Sequence, residues 1–186
     1  VNRRDAVQRI ALLMGGAMIG STAILTGCKS ETGKPTEWTP EDIAYLDEIA
    51  DTILPTTSTP GAKAAKVGQF MTVMVNDSYE EKDQKVFREG MEKLNEAAND
   101  KYDNDFIKLT PQQRTEFLTA LDKEAKDYAK NAKEGSDPHY FRMMKELTLL
   151  GYFTSEIGST QARRHVPVPG RFDGCIPYKK GDKAFT

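Results

Sequence analysis

Apolar residues in this chain recur at intervals of three and four, and nowhere do they alternate with polar ones over a useful length. A period near 3.6 buries one stripe of a helix, whereas a half-buried strand needs a period of two. The pattern therefore predicts an all-α fold. With 186 residues there is room for one domain, read as about five helices over residues 39–165 followed by an extended, Pro-rich tail over 166–186.

Local signals place the helices. Thr39-Pro40-Glu41-Asp42 combines an N-cap hydroxyl, a proline whose missing N–H costs nothing in the first turn, and acids at the positive end of the dipole. Ile43, Leu46, Ile49, Ala50 and Ile53 then form one stripe until Pro55, leaving Asp47, Glu48 and Asp51 to solvent, and Pro55 to Gly61 is a loop. Val67, Phe70, Met71 and Met74 give a second stripe. Phe87, Met91, Leu94 and Ala98 give a third, after a charged lead-in from Glu80 to Lys85 and before a polar break over Asn99 to Asn104. Thr110-Pro111-Gln112-Gln113 is a capping-box start leading into Phe117, Leu118, Leu121, Ala125 and Tyr128, which Gly135 and Ser136 close. Asp137-Pro138 opens the last helix, with Tyr140, Met143, Met144, Leu147 and Leu150 on one face and Phe141, Leu149, Tyr152 and Phe153 on another. No charge falls between Leu147 and Ser155, so that helix is expected to be buried on most sides.

The two ends differ from this body. Arg3, Arg4 and Arg9 precede an uncharged run from Ile10 to Thr26 that ends in Leu25-Thr26-Gly27-Cys28. Residues 1–27 read as a signal peptide with a lipobox, and the adjacent Arg3 and Arg4 suggest the twin-arginine type. Cys28 is then the lipidated residue of a periplasmic protein anchored to a bacterial membrane, and 28–38 is a polar linker. At the other end Val166-Pro167-Val168-Pro169-Gly170 cannot be helical, and Pro177 blocks a later helix. Phe172, Ile176, Tyr178 and Phe185 are apolar anchors there and need a surface to lie against.

Little in the chain points to chemistry of its own. A formal net charge of −2 excludes the dominant positive field of a nucleic-acid binder. Without Arg3, Arg4, Arg9 and Asp5 the balance is 23 cations against 27 carboxylates. His139 and His165 are 26 residues apart and Cys175 has no nearby thiol, so no metal site is expected. Haem-attachment, phosphate-loop and dinucleotide motifs are absent, so no cofactor is assigned to this chain. Asp47, Glu48, Glu80, Glu81, Glu124 and Asp127 read as solvated, and Met71, Met74, Met143 and Met144 as core rather than copper ligands. Three readings stand for Cys175: a buried free thiol, a disulfide to another subunit, or a catalytic nucleophile. Its place beside Arg171, Phe172 and Asp173 favours contact with a partner, and no catalytic residue is assigned.

Four blocks carry a likeness. Glu41-Asp42-Ile43 with Ile49 to Pro55, Thr59-Pro60-Gly61-Ala62, Lys145 to Glu156, and Pro167 to Cys175 resemble the gluconate 2-dehydrogenase small subunit (subunit 3) family. The resemblance implies a non-catalytic subunit that escorts and stabilises an FAD-dependent large dehydrogenase subunit of the glucose-methanol-choline type. FAD is then expected in that large subunit, with electrons passing to a cytochrome c subunit or another membrane acceptor. The alternative is a free-standing periplasmic lipoprotein that binds a solute or scaffolds other proteins.

Overall fold

The computed structural model describes residues 37–133, 135–172 and 174–185. Arg3, Arg4, Cys28 and Asp173, with the signal peptide and all but the end of the linker, lie outside the described residues.

Five α-helices form the body: α1 (Pro40–Ile53), α2 (Val67–Ser78), α3 (Glu81–Tyr102), α4 (Pro111–Asn131) and α5 (Tyr140–Thr154). A 3-10 turn (Phe106–Lys108) precedes α4, and a π-helical turn (Gly158–Ala162) follows α5. The described residues contain no strand, so the protein is all-α.

Both expected N-caps are present, and each is a capping box. Thr39 Oγ1 accepts the Asp42 N–H at 3.1 Å while Asp42 Oδ2 accepts the Thr39 N–H at 3.0 Å. Thr110 and Gln113 make the same exchange at the start of α4. Each box satisfies two donors that the first turn leaves orphaned.

Helix α5 is the hub, since it touches each of the other four. Leu46 and Ile49 of α1, Met71 and Val75 of α2, Phe87 and Leu94 of α3, Leu121 of α4 and Phe141, Met144 and Leu147 of α5 are buried in one core. Phe106, from the 3-10 turn, is buried among them and meets Tyr45 edge-on at 5.8 Å. Two close approaches depend on glycine. A Cβ on Gly151 would stand 2.6 Å from the Phe70 ring, and one on Gly68 would stand 2.7 Å from Asp47 Oδ1. Helices can meet this closely only where a side chain is missing.

Several local expectations are corrected. Asn99 to Asn104 does not break the helix: α3 runs on to Tyr102 and ends at Asp103, whose φ of 55° is left-handed. The polar run held no Gly or Pro, and Asn99, Asp100 and Lys101 simply occupy the exposed side of a continuing helix. The charged lead-in from Glu81 onward is likewise already helical. Asp137-Pro138 does not open α5, because His139 is its N-cap and its Nδ1 accepts the Phe141 N–H at 3.2 Å. Asp137 pairs instead with Lys82.

Asp47 and Glu48 are not left to solvent. Asp47 Oδ1 accepts the Gly68 N–H at 2.8 Å and so ties α1 to α2. Glu48 pairs with Lys63 and with Arg114, which joins α1 to α4. Trp38 belongs with the body: its ring meets Phe87, its Nε1 donates to Asn76 at 2.9 Å, and the Arg88 guanidinium lies over it at 3.7 Å.

Candidate partner-binding surface

Helix α5 carries apolar residues on more faces than four neighbours can cover. Phe141, Met144, Leu147, Gly151 and Tyr152 turn inward, and Tyr152 Oη donates to the Pro60 carbonyl at 2.7 Å, fixing the helix end against the loop after α1. Leu149 and Leu150 are left outside, Leu150 at 45% exposure. The expectation that α5 is buried on most sides fails at these two residues, because a run without charge marks low polarity and not the number of neighbours.

Beyond α5 the chain turns sharply. Ser155 Oγ accepts the Gly158 N–H at 3.0 Å, and the Arg163 N–H donates to the Gly158 carbonyl at 3.0 Å across the π-helical turn. This brings the Arg163 guanidinium over the Phe153 ring, 4.2 Å from its centroid. Phe153 stands one turn beyond Leu149 on the same side of α5, so the outward apolar stripe leads directly to a fixed cation.

The segment after Arg164 contains no helix and returns on itself. The Arg164 N–H donates to the Ala184 carbonyl at 2.8 Å, and Arg164 and Phe185 form an isolated parallel bridge. Lys183 Nζ donates to the Gln161 carbonyl, and the Arg164 guanidinium lies over the Phe185 ring at 4.9 Å. Residues 165–184 are therefore a loop pinned at both ends to the turn that follows α5.

The loop carries the residues singled out from the sequence. Arg171 and Phe172 are exposed on it, Phe172 at 95%, and Tyr178 follows at 75% with Val168 and Ile176 also exposed. Cys175 is a free, exposed thiol, which corrects the reading of a buried one. Among the described residues from 165 to 185 none is buried. Asp173 lies outside the described residues.

Residues that motif reading missed stand at the base of the loop. Thr160, Arg163, Arg164, His165, Asp182 and Lys183 line a cleft of about 540 Å³. The available clue was charge. Residues 163–186 hold six Lys and Arg against two Asp, whereas residues 28–162 hold 17 cations against 25 carboxylates.

Several titratable groups of the body have structural partners. Burial pushes the Glu48 carboxyl up, but the hydrogen bond from Lys63 and the charge of Arg114 outweigh it and hold the group below its ordinary value. Asp122 is held low by hydrogen bonds from Lys126 and Lys145. Burial, with Glu124 nearby, pushes the Tyr140 hydroxyl up to about 12. Among the described residues no group of three or more His, Cys, Asp or Glu side chains is placed to hold a metal, and no helix is long and apolar enough to cross a membrane.

The fold and this surface define an all-α domain that displays a basic, aromatic loop from the end of its central helix. The family model described as gluconate 2-dehydrogenase subunit 3 matches residues 40–170, and the chain belongs to that family. It is accordingly a subunit of a dehydrogenase complex. The match takes in all five helices together with Arg163 and Arg164. No curated protein and no solved structure matches the chain.

Proposed function

We propose that this chain is the non-catalytic small subunit of a membrane-associated, FAD-dependent sugar or polyol dehydrogenase of the glucose-methanol-choline type. It grips the large subunit through the 165–184 loop and the outward stripe of α5, and it stabilises that subunit and escorts it through export. FAD resides in the large subunit, and electrons leave through a cytochrome c subunit or another membrane acceptor. Arg3 and Arg4 supply a twin-arginine signal for both proteins. Cys28 carries the lipid that holds the complex on the periplasmic side of a bacterial membrane.

The observation that carries this reading is the exposure of Phe172 and Tyr178 on a loop whose two ends are fixed to the body. Burying an aromatic ring of this size is worth roughly 1.5–3 kcal/mol, so leaving two in water is costly unless a partner covers them. Arg171, Phe172, Asp173 and Cys175 are then contact residues. Membership of a dehydrogenase-subunit family supports a dehydrogenase as that partner.

Changing Arg3 and Arg4 to Lys tests the escort role. Both this chain and the flavoprotein should then remain in the cytoplasm, and continued export of the flavoprotein overturns the role. Docking is tested by Phe172→Ala with Tyr178→Ala in the purified complex, where loss of the flavoprotein is expected and an unchanged complex counts against the surface. Purified alone, the chain should reduce no dye with any sugar; sustained turnover would show it to be an enzyme in its own right.

A further inference from the structure

We propose that the cleft at the base of the 165–184 loop is an oxyanion clamp for the carboxylates of an acidic segment on the catalytic partner. The proposal rests on the subunit reading above and specifies the chemistry of the partner's contacting face.

The two arginines are fixed without being neutralised. The Arg163 guanidinium lies over the Phe153 ring and that of Arg164 over the Phe185 ring, at 4.2 and 4.9 Å from the centroids. A guanidinium held over a ring can still offer its N–H groups for paired hydrogen bonds to a carboxylate. Among the described residues neither arginine, nor Lys179, Lys180 or Lys183, forms an ion pair. Asp182, the acid that lines the cleft, is engaged in its own turn, where its Oδ2 accepts the Lys179 N–H at 2.8 Å.

The walls are also pre-organised. Arg164 N–H to Ala184, Lys183 Nζ to Gln161 and the Arg164–Phe185 bridge fix both sides of the cleft before anything enters it. A ligand therefore meets two guanidinium groups and an ammonium whose positions are already held. The chain has a surplus of acid elsewhere, with 25 carboxylates against 17 cations over residues 28–162, yet the cations of the cleft form no ion pair among the described residues. That segregation gives an oriented field attracting a negatively charged surface to this end of the molecule.

A protein carboxylate is favoured over a lipid headgroup by shape. The cations line a recess of about 540 Å³, which a projecting Asp or Glu side chain can enter. A bilayer instead presents a broad plane and is best met by cations displayed on a convex face.

The test uses the complex of the full-length chain with its flavoprotein, and measures the dissociation constant from ~50 to ~500 mM NaCl, a range over which screening removes most exposed electrostatics. Arg163→Gln with Arg164→Gln should raise the constant about 10- to 100-fold at low salt and flatten its salt dependence. Arg163→Lys with Arg164→Lys, which keeps the charge but loses the fork, should fall between, and Lys123→Gln, on the exposed side of α4 and outside the proposed surface, should resemble wild type. The isolated variants should melt like wild type. If the Gln pair binds with the wild-type constant and slope, the clamp is overturned and the subunit reading stands. If no flavoprotein complex forms at any salt, both fall. If the Gln pair loses binding to phosphatidylglycerol–phosphatidylethanolamine vesicles, or loses self-association, while the complex is unchanged, the cleft serves a bilayer or a second copy and the clamp is overturned.

Discussion

The helical body and the 165–184 loop solve opposite problems. In the body most large apolar side chains are covered, with Leu149 and Leu150 among the exceptions, and cations such as Lys63, Arg114 and Lys145 face carboxylates. In the loop the rings of Phe172 and Tyr178 stand in water, and Lys179, Lys180 and Lys183 have no acidic partner among the described residues. The body builds a core of its own. The loop is held in place by a few contacts at its base and spends the rest of its surface outward, which is what a binding element requires.

The contrast breaks most readily in the core. Phe87→Ala should cost about 3–5 kcal/mol in urea unfolding, whereas Phe172→Ala in the isolated chain should stay within about 0.5 kcal/mol. Comparable losses would mean that the loop is part of the fold. A smaller effect is expected where α2 meets α5: Gly151→Val pushes a side chain into the Phe70 ring and should destabilise by about 1–3 kcal/mol, checked by the same denaturation. Thr110→Ala removes the acceptor for the Gln113 N–H and should cost about 1 kcal/mol in thermal unfolding; no loss would show that the cap is redundant.

Acid sharpens the comparison further. Glu48 is held below its ordinary value of 4.5, so its contribution is fully present above that pH and is lost as pH falls through the lowered folded value. Glu48→Gln should flatten that part of the acid-unfolding curve, and an unaltered curve would show that the Lys63 and Arg114 contacts contribute nothing. Trypsin should leave the body's stability least changed, cutting first after Lys179 and Lys180, as mass spectrometry of early digests would show. Early cleavage within α3 or α4 would reverse the ranking.

Much of the body was legible because its signals are local. The capping boxes at Thr39 and Thr110 and the stripes through Ile49, Met71, Leu94 and Leu121 each need only a short window of sequence. Errors arose where a local cue was overread or a distant partner intervened. The polar run at Asn99 contains no helix breaker, and the N-cap of α5 is His139, whose ring accepts the Phe141 N–H, while Asp137 pairs with Lys82. For the candidate surface, Arg171, Phe172 and Cys175 could be picked from the non-helical segment, but Arg163, Arg164 and Lys183 could not be grouped. Nothing in the intervening residues announces that Arg164 and Phe185 meet.

What the sequence by itself determined is the helical class, the principal apolar stripes and the family, because periodicity, caps and motif blocks are properties of neighbouring residues. Tertiary structure alone decided that α5 touches every other helix yet keeps Leu149 and Leu150 outside, that Glu48 bridges α1 to α4, and that the loop closes around a basic cleft. These depend on which surfaces remain after the helices have packed, and that remainder is set by contacts between residues far apart in the chain.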